Sequence, residues 1–239
     1  MIFASKINSM KKLLFILSAF LVIMSCDSKK EGSLVVNGKV KGLKKGTLYL
    51  QHLVDSSLVT VDSLEIDGDG SFSLTADLES PEIFYLYLNK KDNNDVNDRI
   101  TFFAEPGIIT INTDWNTFDT NAKITGSSSH EKLEDYRKAL SNINKRNLEI
   151  MLEASKAEKP LDQAIIDSLE RASAKNTQKG YAFSINFALN NKDSYIAPYI
   201  AVKEIPDANV KYLDSIYKVL TPEVAASKYG MELKELLKK

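Results

Sequence analysis

From Ser33 to Gly126 apolar and polar residues alternate in short runs, the pattern of half-buried strands. "SLVVNGKV" predicts a first strand, "GTLYLQHL" a second, "LVTVDSLEI" a third and "SFSLTA" a fourth. "EIFYLYL", "RITFFA", "GIITINT" and "AKITG" continue the series. The runs are rich in Val, Ile, Thr, Tyr and Phe, and Gly, Asp, Asn and Pro punctuate them, as in a sandwich or barrel. In "EIFYLYL" both faces are apolar: Ile83, Tyr85 and Tyr87 point one way, Phe84, Leu86 and Leu88 the other. Such a strand belongs in the middle of a sheet.

From Ser128 the period becomes helical. Leu133, Tyr136, Leu140 and Ile143 step by three and four, behind a capping box of Ser128 and Glu131. Pro160 ends that run, and a second helix carries Ile165, Leu169, Ala172, Phe183 and Phe187. "NNKDSYIAP" reads as a turn, and shorter helices follow in "VKYLDSIYKVL" and "PEVAASKYGMELKELLKK". The fold class is therefore α+β: an N-terminal antiparallel β-sandwich of about eight strands over 33–126, then a C-terminal helical region over 127–239.

The N-terminus follows a different logic. Lys11 and Lys12 precede twelve nearly unbroken apolar residues, Leu13–Met24, and Ser25 closes them. A basic start, a short apolar stretch and a small residue describe a secretory signal over 1–25. Twelve helical residues rise only about 18 Å, too little for a hydrocarbon core of about 30 Å. Met10 reads as a more natural start than Met1. Ile23-Met24-Ser25-Cys26 resembles a bacterial lipobox, in which the cysteine becomes a lipidated N-terminus. Residues 26–32 would then be a tether of at most about 20 Å.

Cys26 is the chain's single cysteine. Dithiol exchange needs an attacking thiolate and a resolving partner, so a chain acylated at Cys26 has no such chemistry of its own. Loss of the signal moves the formal charge from −1 to about −4, which argues against a nucleic-acid partner.

Candidate chemistry is sparse. "VDSLEIDGDGSFSL" spaces Asp67, Asp69 and Ser71 like calcium ligands, but it lacks the closing glutamate and the flanking helices. Asp-Gly between alternating runs predicts a β-hairpin instead. The two histidines, His52 and His130, have no metal-ligand spacing, and His130 is expected to be solvated at a helix start. No metal or cofactor is expected. Asp62-Ser63 lacks a nucleophile elbow and reads as strand-edge hydrogen bonding. Most of the aromatics, among them Tyr85, Tyr87, Phe102 and Phe103, read as core. Trp115 and Phe118 stand in the polar loop "NTDWNTFDTN" and are the candidate contact residues for a partner or ligand.

The order of "LVVNGKVKGLKKGTLYLQ", "VTVDSLEIDGDGSFSL", "FFAEPGIITINT", "KITGSSSHEKLEDY", "DSYIAPYI" and "SKYGMELKELL" resembles a domain-of-unknown-function family of Gram-negative envelope lipoproteins. That family is found as the N-terminal half of thioredoxin-like proteins of the alkyl hydroperoxide reductase and thiol-specific antioxidant type. The resemblance implies a sandwich followed by helices, an envelope location and an association with thiol–disulfide systems. It implies no catalytic residue, because this sequence stops at Lys239, where the thioredoxin domain would begin.

The expectation is a non-catalytic lipoprotein anchored to the outer membrane. It would be an interaction or ligand-binding module, with the membrane and a thioredoxin-like envelope protein as partners. A scaffold without ligand is one alternative. A glycan-binding protein, or a hydrolase using acids such as Asp62 and Glu105, is another.

Overall fold

The computed structural model describes residues 32–90, 98–155 and 162–238. The signal segment, Cys26, the tether up to Glu31, and Pro160 lie outside the described residues.

Among the described residues eight strands form two four-stranded sheets. They are β1 (Ser33–Lys41), β2 (Lys45–Val54), β3 (Ser57–Asp67), β4 (Ser71–Asp77), β5 (Glu82–Asn89), β6 (Arg99–Ala104), β7 (Gly107–Asp114) and β8 (Lys123–Thr125). One sheet runs β4-β1-β7-β8 and the other β3-β2-β5-β6. Alternate residues of both sheets fill the space between them. Leu34, Val36, Leu74, Ile109 and Ile111 from the first meet Leu48, Leu50, Phe84, Leu86, Leu88 and Phe102 from the second. The strand β5, apolar on both faces, has β2 and β6 as neighbours and is central, as its pattern predicts.

Among the described residues six helices follow: α1 (Ser128–Ser155), α2 (Gln163–Asn190), α3 (Ile196–Tyr199), α4 (Val210–Val219), α5 (Pro222–Ala226) and α6 (Lys228–Leu236). A π-helical turn, Ile200–Glu204, continues α3. Helices cover the outer face of the β3-β2-β5-β6 sheet. Ile83 and Phe103 leave that face and enter a second core with Leu133, Tyr136, Ile196, Ile200, Leu213, Ile216, Tyr229 and Leu233. Phe103 stands edge-on to Tyr199 and Tyr229, at 5.7 and 6.0 Å between ring centres. The described residues therefore form three layers, sheet on sheet on helices, and β5 and β6 contribute to both cores.

Two expectations need correction. The sandwich is not wholly antiparallel, because β1 and β7 pair in parallel. Alternation records which face a residue occupies, not which way its strand runs. Gly38 is required there: its φ is +153°, and a Cβ would stand 1.8 Å from the carbonyl oxygen of Ile111 on β7. The Asp67–Gly70 turn is likewise not a hairpin. The strand β3 pairs with β2 and β4 pairs with β1, so the turn crosses from one sheet to the other. Gly70, at φ +80°, lies against the Val40 carbonyl, and Val40 N–H donates to Gly70 O at 2.8 Å.

Candidate functional site

A cleft of about 970 Å³ opens at one end of the sandwich between the β2–β3 turn, the β4–β5 connection and the C-terminal helices. Its floor starts from a sequence anomaly, a glutamate at the head of the apolar strand β5. Glu82 is buried. Its Oε1 accepts from His52 Nδ1 at 3.1 Å, and its Oε2 is held by Lys228 Nζ. Lys228 Nζ also donates to the Leu53 carbonyl at 3.1 Å, and the Lys228 backbone N–H donates to Ser80 Oγ at 2.9 Å. His52 stacks on Phe84, its cross-strand partner, at 4.9 Å. The buried carboxylate is thus matched by a cation and a ring N–H, as burial of a charge demands.

Sequence places Lys228 there through local capping. Ser227 caps α6, its Oγ accepting from Gly230 N–H at 3.3 Å and donating to Val224 O at 2.6 Å. Among the described residues no hydroxyl hydrogen-bonds the other nitrogen of His52, so no activated nucleophile stands beside the Glu82–His52 pair. Tyr195 lines the cleft with its hydroxyl on Glu223 Oε1 at 2.6 Å. Burial, and then that hydrogen bond, push its phenol up to about 12. Apolar residues line much of the walls, Leu53 and Val54 from the hairpin, Pro81, Val202 and Pro206, and Met231 and Leu236 from α6, with the carboxylates of Asp55, Glu79, Glu223, Glu232 and Glu235 among them.

The residues expected to carry function have other surroundings. Phe118 is fully buried in the sandwich core, which corrects its assignment as a contact residue. The turn from Thr113 folds it inward, and Thr113 Oγ1 donates to Phe118 O at 2.7 Å. Trp115 is 44% exposed and lies on the β1–β2 connection, where a Cβ on Gly42 would stand 2.6 Å from its ring. It does not line the cleft.

His130 is not solvated but buried, a second correction. Its Nδ1 accepts from Phe103 N–H at 3.4 Å, and desolvation lowers its pKa. Asp62 braces a strand edge. Beside a bulge at Val61, its carboxylate accepts from Ser63 N–H and from Thr75 N–H of β4, each at 2.8 Å. Glu105 caps α1. Its Oε2 accepts from Ser127 Oγ at 2.9 Å and Ser129 N–H at 3.2 Å, and its Oε1 from Ser129 Oγ at 2.8 Å. The expected Ser128/Glu131 box is replaced by this distant carboxylate and by Ser127 Oγ, which accepts from His130 N–H at 3.0 Å.

A second, polar cavity of about 820 Å³ lies between β6, β8 and α1. Asp119, Glu131, Glu134 and Asp135 reach it, with Arg99, Lys123, Arg137 and His130. Arg137 pairs with Glu134 at 3.2 Å. Among the described residues no group of three or more His, Cys, Asp or Glu side chains could hold a metal ion.

No curated protein and no solved structure matches the chain. One family model does match part of it: residues 34–133, which span the sandwich and the first turns of α1, match Domain of unknown function (DUF4369).

Proposed function

We propose that this protein is a non-catalytic interaction module of the bacterial cell envelope. It is anchored to the outer membrane through lipid on Cys26, works with a thioredoxin-like envelope protein, and uses the cleft at the end of the sandwich as its contact surface. One observation carries the reading. The acids a hydrolase would use are committed to structural bonds, Asp62 to a strand edge and Glu105 to a helix cap, while the cleft is an open, apolar-walled surface over a floor whose polar groups satisfy one another. Gly32 lies at the cleft end of the sandwich, where its carbonyl accepts from Leu78 N–H at 2.7 Å. A six-residue tether from Cys26 would hold that end near the membrane. The hydrolytic alternative, with Asp62 and Glu105 so committed, is left with the four carboxylates of the second cavity and is weaker, because one of them is paired and, among the described residues, no oriented nucleophile accompanies them.

The test is made in intact envelopes. The N-terminal peptide should carry a lipid mass on Cys26, and a photo-cross-linker at position 231 should give one discrete adduct with a thioredoxin-like protein. A free Cys26 thiol removes the anchor. Adducts from position 115 but not 231 move the contact surface to the Trp115 loop, and none from either leaves a scaffold.

A further inference from the structure

The lining of the cleft is unbalanced in charge. Six carboxylates face it, those of Asp55, Glu79, Glu82, Glu223, Glu232 and Glu235, against one lysine, Lys228. Three are matched: Glu82 by Lys228, Glu232 by Lys203 at 2.6 Å, and Glu235 by Lys238 at 2.5 Å. Among the described residues no ion pair reaches Asp55, Glu79 or Glu223. These three come from different sides, the β2–β3 turn, the β4–β5 connection and α5. Between them stand Leu53 at 41%, Val54 at 43% and Met231 at 55% exposure. Asp55 and Ser56, at φ of +46° and +70°, close the two-residue β2–β3 hairpin, which sets the acid at its tip.

We propose that the cleft takes a cationic stretch of a partner polypeptide, with lysine or arginine side chains facing Asp55, Glu79 and Glu223 and apolar side chains covering Leu53, Val54 and Met231. This rests on the interaction reading above and gives the partner its chemistry. An anionic lipid surface or a nucleic acid would meet like charge at the rim. A polyamine would answer the charge but leave the apolar walls in water.

The experiment is a fluorescence-anisotropy titration of the detergent-solubilised full chain with labelled octapeptides of alternating lysine and leucine, lysine and serine, or glutamate and leucine. The lysine–leucine peptide should bind at least about tenfold more tightly than the other two, and added salt should weaken it. The exposed pair Glu79→Gln and Glu223→Gln should cost about tenfold in affinity, while Glu153→Gln with Glu170→Gln, on other faces, should cost none. Equal binding of the lysine–serine peptide, equal competition by spermidine, or equal loss in the two double variants would overturn the proposal. A cross-link from position 231 to an acidic partner segment would also overturn it while leaving the interaction reading standing. No adduct from position 231 or position 115, with lysine–leucine binding intact, would sink the interaction reading alone.

Discussion

At the residue scale the most consequential side chains are polar ones placed where their neighbours in sequence give no warning. Glu105 follows β6 in sequence, yet its carboxylate serves the first turn of α1, more than twenty residues on. His130 sits in that turn and reaches back to the β6 backbone at Phe103. Its bond to Phe103 N–H needs an unprotonated Nδ1, and burial already disfavours the imidazolium, so its pKa lies below the ordinary 6.5. Nearby Glu131 and Glu134 oppose that shift, and Arg137 adds to it. The unfolded chain therefore takes up the proton first. The stability this histidine contributes is complete above about pH 6.5 and declines as pH falls toward the depressed native value. Urea midpoints should fall between pH 7.5 and pH 5.5, and His130→Gln, which keeps an acceptor but no titration, should flatten that fall. An unchanged slope in the variant would acquit His130.

At the scale of elements, the strands were legible and their partners were not. Alternation located all eight, and the two apolar faces of β5 placed it centrally, because burial on each face is written in the residues themselves. Asp67–Gly70 shows the limit. Asp-Gly chemistry reports that the chain turns with positive φ, but whether the flanking strands pair is decided by β1 and β2, which claim β4 and β3 respectively. The cleft was illegible for a related reason. Its residues come from β2, the β4–β5 connection and helices more than a hundred positions further on, and only a glutamate heading an apolar strand hinted at a buried ion pair. Trp115 and Phe118 looked alike in a polar loop, but the backbone turns one outward and one inward. Phe103 shows how sheet and helices are joined, as it is fully buried and meets Tyr199 and Tyr229 edge-on. Phe103→Ala should cost about 3–5 kcal/mol in urea denaturation, since a cavity would open between two layers that both need the ring. A loss below 1 kcal/mol would mean that the helices collapse onto the sheet without it.

At the scale of the whole molecule, a change of period near Gly126 invites division into a sandwich and a helical module, and the bonds across that line oppose independent behaviour. Ile83 N–H donates to Tyr229 Oη at 3.1 Å, Lys228 N–H donates to Ser80 Oγ, and Lys228 Nζ holds Glu82. All three link β5, or the connection leading into it, to α6. The outer face of the β3-β2-β5-β6 sheet carries Ile83 and Phe103 into the helical core, so removing the helices would expose those side chains and strip Glu82 of its cation. Residues 32–238 should therefore unfold as one cooperative unit. The chain offers two separable probes. Trp115 is its only tryptophan and belongs to the sandwich, whereas ellipticity at 222 nm reports chiefly the helices. Urea curves from fluorescence and from circular dichroism should superimpose, with one midpoint and one slope. Separate midpoints would show that the Lys228–Glu82 and Tyr229–Ile83 links are too weak to couple the layers. In that case Lys228→Met should leave the fluorescence transition unmoved, whereas in a coupled molecule the same substitution shifts both curves together.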